Sequence, residues 1–153
     1  MASSNRRAGR TSDRRQEPRG GRRASDRPGH HPTLLVAESY EHVRRPLVRY
    51  LEHFSFNVAE AANGAEVMAA VKRLRPKIIL TELTLPNMAA GRLSRCLEES
   101  VPAPRSPIIA MADELSPDID TKLGQPEGLL FKPFPLVKAL EEVRRVLRAR
   151  TNG

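Results

Sequence analysis

The stretch Lys77-Ile78-Ile79-Leu80-Thr81-Glu82-Leu83-Thr84-Leu85-Pro86 admits few structures. Its apolar run Ile78-Ile79-Leu80 is short and unbroken, which predicts a strand buried on both faces in the middle of a parallel sheet. The run ends on an acid and a Pro-containing turn. Glu82 is thereby delivered to the carboxyl end of the strand, where open α/β sheets form their binding sites.

The rest of the chain reads as an alternation around that strand. Thr33-Leu34-Leu35-Val36-Ala37, closed by Glu38 and Ser39, predicts a buried first strand, and Phe56-Asn57-Val58-Ala59-Glu60 alternates as a second. Ile108 to Ala112 and Gly128-Leu129-Leu130-Phe131 predict the fourth and fifth. Between them, Val43, Leu47, Leu51 and Phe54 recur at helical spacing, with Pro46 predicting either a helix start nearby or a kink. Asn63-Gly64-Ala65-Glu66 has the Asn-x-x-Glu form of a capped helix start, with Val67, Ala70, Val71 and Leu74 inside as far as Pro76. A third helix is expected from about Ala90 to Glu99, burying Leu93, Cys96 and Leu97. Residues 113–127 hold five acids against one Lys, with little beyond Ile119 and Leu123 for a helix to bury, so a short or frayed helix is expected. The last helix buries Leu136, Leu140, Val143 and Leu147, and Glu141 and Glu142 precede Arg144 and Arg145 on its solvent side. Five strands alternating with helices predict a flavodoxin-like (βα)5 doubly wound parallel sheet, strand order 2-1-3-4-5.

Composition bounds the rest. A chain of 153 residues, 39% hydrophobic and 29% charged, has room for one core. The net charge of +8 is uneven: residues 1–32 hold nine Arg against Asp13, Glu17 and Asp26. That segment has no Val, Ile, Leu, Phe, Tyr or Trp, so it is expected to be a disordered tail, with the domain at residues 33–150. By charge alone the tail suits nucleic acid or an anionic surface; a solubilising extension explains it equally. Cys96 is the only cysteine, which excludes an intrachain disulfide and agrees with a reducing, cytoplasmic setting. No apolar stretch suits a signal peptide or a membrane span.

Three polar groups are predicted at carboxyl ends of strands: Glu38 with Ser39, Glu82, and Lys132. Two carboxylates facing a Lys suit a metal or phosphoryl site, and equally a structural salt bridge. Here Leu34-Leu35-Val36-Ala37-Glu38, Ala61-Ala62-Asn63-Gly64-Ala65-Glu66, Ile79 to Met88, and Phe131-Lys132-Pro133-Phe134, in that order and spacing, resemble the receiver domain of two-component response regulators over roughly residues 33–150. The resemblance implies an acceptor Asp ending the third strand and Mg²⁺ held by that Asp and an acidic pair after the first. It also implies a Ser or Thr ending the fourth strand and a Lys before a cis Pro, both contacting the phosphoryl oxygens.

This chain departs from that pattern. Glu82 stands at the acceptor position, Glu38 and Ser39 at the acidic pair, Ala112 at the hydroxyl and Leu129 at the usual aromatic; Lys132 and Pro133 match. The longer Glu82 side chain is displaced from in-line attack, and Ser39 is a poor replacement for a charged Mg²⁺ ligand, so no cofactor is expected. Glu82 could instead reach Lys132. The expectation is a pseudo-receiver and not an enzyme: a stand-alone interaction module acting through a histidine kinase, a downstream regulator or self-association, with Arg144 and Arg145 as candidate contact residues. The alternative is nucleic-acid or anionic-surface binding through residues 1–32, with the fold as scaffold. Because the tail lacks large apolar side chains, its removal is expected to leave the thermal midpoint of the domain within about two degrees, as calorimetry would read; a drop of several degrees would show that it packs on the domain.

Overall fold

The computed structural model describes residues 33–100, 105–113 and 126–152. The Arg-rich segment 1–32 and most of the acidic segment 113–127 lie outside the described residues. Five parallel strands form one sheet: β1 (Thr33–Ala37), β2 (Asn57–Ala61), β3 (Ile78–Glu82), β6 (Ile108–Asp113) and β7 (Gly128–Lys132). Their order, β2-β1-β3-β6-β7, is the expected 2-1-3-4-5 arrangement of the five long strands. Between β3 and the third helix lie two short strands that the sequence reading omitted, β4 (Thr84–Leu85) and β5 (Met88–Ala89), paired antiparallel.

Side chains alternate across the central strands, and both sides are covered, which is why these strands read as continuous apolar runs. Leu34, Val36, Leu80, Ile109 and Met111 face helices α1 (Glu41–His53) and α4 (Leu136–Thr151), meeting Leu47, Leu51, Leu140 and Val143. Leu35, Ala37, Ile79, Ala110 and Ala112 face α2 (Gly64–Leu74) and α3 (Ala90–Ser100), meeting Val67, Val71, Leu93 and Leu97. Each large apolar side chain so buried contributes about 1.5–3 kcal/mol. Two layers of helix on one sheet thus position the strand ends.

Several expected core residues sit differently. Phe54 and Leu74 are each 37% exposed, because each comes at or just past the end of its helix, where the stripe overruns the sheet. Cys96, Val43, Leu136 and Leu147 are half-buried rather than enclosed, and Ala139 and Val146 join Leu140 and Val143 on the buried face of α4. Pro46 is inside α1 on its exposed side, so the helix neither starts there nor buries it.

Arg144 and Arg145 are exposed, as expected of solvent-side residues, but both are engaged within the chain. The Arg144 guanidinium lies 5.4 Å from the centroid of the Phe54 ring. Arg145 grips Glu142 with two nitrogens, at 3.0 and 2.8 Å, and donates to the Glu127 carbonyl at 2.6 Å, tying α4 to the entry of β7. Arg145→Glu is therefore expected to cost about 1–2 kcal/mol, through two lost contacts and a new repulsion with Glu142, measurable as a lowered denaturant midpoint at unchanged slope. An unchanged midpoint would mean the grip contributes nothing in solution.

Candidate functional site

Parallel strands deliver their carboxyl ends to one side of the sheet, and the four expected polar residues meet there. The Lys132 ammonium donates to Glu38 Oε2, and Glu82 Oε2 lies 3.6 Å from the same nitrogen. Glu38 is fully buried and Glu82 is 8% exposed. The remaining carboxylate oxygens are also held. Glu82 Oε1 accepts the Ser39 amide N–H at 2.9 Å, and Glu38 Oε1 accepts the Tyr40 amide at 3.1 Å. Lys132 thus reaches Glu82, as the sequence suggested, but its closer partner is Glu38.

The loops carrying these groups are fixed by contacts that the sequence reading did not find. Arg44, on the first turns of α1, donates to the Glu38 carbonyl at 2.7 Å and to Glu60 Oε1 at 3.0 Å, so it anchors the β1 exit. On the β3 side, Gly64 donates its N–H to the Pro86 carbonyl at 3.2 Å, and a Cβ there would stand 2.2 Å from that of Met88. Only glycine allows α2 this approach to the β4–β5 hairpin. Asn87 takes the left-handed turn position, at φ 64°, and Lys132–Pro133 is cis, as the resemblance implied. Nothing in the side-chain pattern of Arg44 signalled its role; the Asn-Gly pair at 63–64 was visible, but its contact was not.

On β6 the hydroxyl position offers no chemistry. Ala112 is buried and presents a methyl group, and Leu129, paired with Ala110 across β6 and β7, packs on the core. Arg144 and Arg145 belong to α4 and take no part in this cluster. Among the described residues, no three His, Cys, Asp or Glu side chains are grouped as a metal ion would need.

Burial pushes the Glu82 carboxyl above the ordinary glutamate range; the Ser39 hydroxyl and amide oppose this, and the Glu38 charge adds to it. A carboxyl whose pKa is higher in the fold contributes its stability below the unfolded value and loses it as pH rises through the folded one. Ionised Glu82 is therefore a cost at neutral pH. Glu82→Gln is expected to raise the thermal midpoint at pH 7.5, with the gain shrinking towards pH 4, where the parent carboxyl is protonated. A gain that is equal at both pH values would place its origin elsewhere.

Residues 34–144 match the response regulator receiver domain family. Among curated proteins, the chain is similar to the transcriptional regulatory protein SrrA of Staphylococcus aureus, 28% identical over 115 residues, which are 75% of this chain and 47% of that protein. The chain spans about half the length of the curated relatives it matches. The fold is similar to the chemotaxis response regulator CheY4 of Vibrio cholerae, with a TM-score of 0.69 and 22% identity over 76% of this chain and 99% of that one. It is also similar to the signal receiver domain of an HD domain-containing protein from Pseudomonas fluorescens Pf-5, with a TM-score of 0.72 and 16% identity over 81% and 100% of the two chains. With that match across most of the folded residues, and with the central strand and the cis Lys-Pro bond in place, the chain belongs to the response regulator receiver family of two-component signalling.

Proposed function

We propose that this receiver domain acts by binding proteins of a two-component pathway, without being phosphorylated and without Mg²⁺. The observation that carries this is the Lys132 ammonium standing between the Glu38 and Glu82 carboxylates, with both outer oxygens already taken by backbone amides. A hard divalent ion takes several oxygen ligands. Here one oxygen of each carboxylate faces an ammonium that already neutralises it, and the third donor is a neutral Ser39 hydroxyl. The donor set does not fit the ion, and no step passes through one.

Phosphoryl transfer fares no better on these residues. A phosphoryl group entering beside Glu82 would compete with two carboxylates for one Lys, and Ala112 supplies no hydroxyl to receive it. What stays intact is the packed α/β body and its surfaces. That supports an interaction module over an enzyme, with a histidine kinase, a downstream regulator or a second copy as partner.

Incubation of the full chain with acetyl phosphate and Mg²⁺ is expected to leave its intact mass unchanged, and Glu82→Asp is expected to behave the same way. A stoichiometric phosphoryl adduct at position 82 in the parent overturns the proposal. Rapid labelling of Glu82→Asp alone would show that Ser39 and Ala112 are no obstacle.

A further inference from the structure

Between α2 and β3 the chain reads Lys72-Arg73-Leu74-Arg75-Pro76-Lys77, and no acid stands between Glu66 and Glu82. The backbone of this turn is pinned at three points. The Arg75 amide donates to the Val71 carbonyl at 3.0 Å, the Ser106 hydroxyl donates to the Pro76 carbonyl at 2.5 Å, and the Lys77 amide donates to the Thr33 carbonyl at 2.7 Å. Its side chains are not held in the same way: Lys72, Arg73, Leu74, Arg75 and Lys77 are all exposed, and Pro76 is buried. Among the described residues none of the four cationic side chains is in an ion pair or a hydrogen bond. A fixed turn thus presents four unpaired cations around one leucine that is 37% exposed.

Cations in the last turn of a helix, such as Lys72 and Arg73, complement its dipole and need no other explanation. Arg75 does. It lies past that turn in the left-handed region, at φ 45°, where helices commonly end on glycine or asparagine and a side chain with a Cβ is strained. Backbone strain that the surrounding structure enforces, at a side chain with no partner in the fold, points to a use outside it. We infer that this turn docks the domain on an anionic lipid surface, with its cations against the headgroup phosphates and Leu74 at the acyl boundary. The leucine favours lipid over a nucleic-acid backbone, because a row of phosphates in water offers it no apolar surface, whereas a bilayer interface takes up basic and apolar side chains together. The helices return the chain to this same strand-start end, which adds Phe54, also 37% exposed, and the exposed Arg49 and Arg148. Its exposed acids, Glu98 and Glu99, lie in the last turn of α3.

The test is sedimentation of the full chain with vesicles of 30% phosphatidylserine in phosphatidylcholine at 100 mM NaCl. The parent is expected to bind these vesicles and to bind pure phosphatidylcholine far more weakly. Lys72→Gln with Lys77→Gln should weaken binding by about tenfold or more, at about fivefold per cation. Leu74→Ser should weaken it by about threefold or more without altering its salt dependence. Arg75→Gly should weaken it by about fivefold while the melting temperature is held or raised, since glycine suits the left-handed position; a merely structural role for Arg75 would not divide the two readings in this way. Arg92→Gln with Lys138→Gln, which removes charge at the other end of the domain, should change nothing. No sedimentation of the parent, or equal sedimentation with pure phosphatidylcholine, overturns the proposal. So does unchanged binding by Leu74→Ser and Arg75→Gly, which would assign the contact to other residues of the chain, or tighter binding to a DNA duplex of 24 base pairs than to the vesicles at equal salt.

Discussion

The contact between the Lys132 ammonium and two largely buried carboxylates is what the site depends on. Glu38 leaves β1, Glu82 ends β3, and Lys132 ends β7, which is separated from β3 by β6. One cation therefore joins the exits of three strands, two of them not hydrogen-bonded to the third. Without it, two carboxylates would stand together in a site where burial penalises each charge, and leaving a buried charge without its counter-ion commonly costs about 3–5 kcal/mol. Specific backbone amides take the remaining oxygens, so the surplus negative charge is held by dipoles rather than by a second ion.

That arrangement needs the loops to be rigid, and they are fixed from several sides. Arg44 ties the β1 exit to Glu60 beside it on β2, while the Gly64 contact seats the β4–β5 hairpin against the start of α2. The helix start is itself capped both ways: the Glu66 amide donates to Asn63 Oδ1 at 2.9 Å, and Glu66 Oε2 accepts from the Ala62 amide at 2.6 Å. The cap residues Asn63 and Glu66 flank the Gly64 that permits the close approach to the hairpin, so the start of α2 is fixed and seated within four residues. Capping and site geometry are one constraint here.

What was legible in the sequence follows from this physics. Strands buried on both faces must be continuously apolar, so β1, β3 and β6 announced themselves, and the Asn63–Glu66 cap fixed the start of α2. The convergence of Glu38, Glu82 and Lys132 followed from parallel topology once the strands were placed. Periodicity could not say where a helix overruns its sheet, which is why Phe54 and Leu74 read as core. Two-residue strands have no period to detect, so the β4–β5 hairpin was missed. The amides of Ser39 and Tyr40 carry no side-chain identity at all. Arg145 and Glu142 are readable as an i,i+3 pair, but the Glu127 carbonyl that Arg145 also reaches is 18 residues away in sequence.

The same geometry separates the pocket from the rest of the domain. The receiver pattern has a hydroxyl ending the fourth long strand and an aromatic side chain on the next. Here that position is the Ala112 methyl, already enclosed, and Leu129 packs on the core. A change of charge at Glu82 meets the Ala112 methyl on β6 rather than a hydroxyl, and β7 is already anchored through Lys132 at its end and Arg145 at its entry. Under the proposed function, the surface offered to a partner is then set by packing, and its occupancy is governed by partner concentration and ionic strength rather than by the state of the pocket.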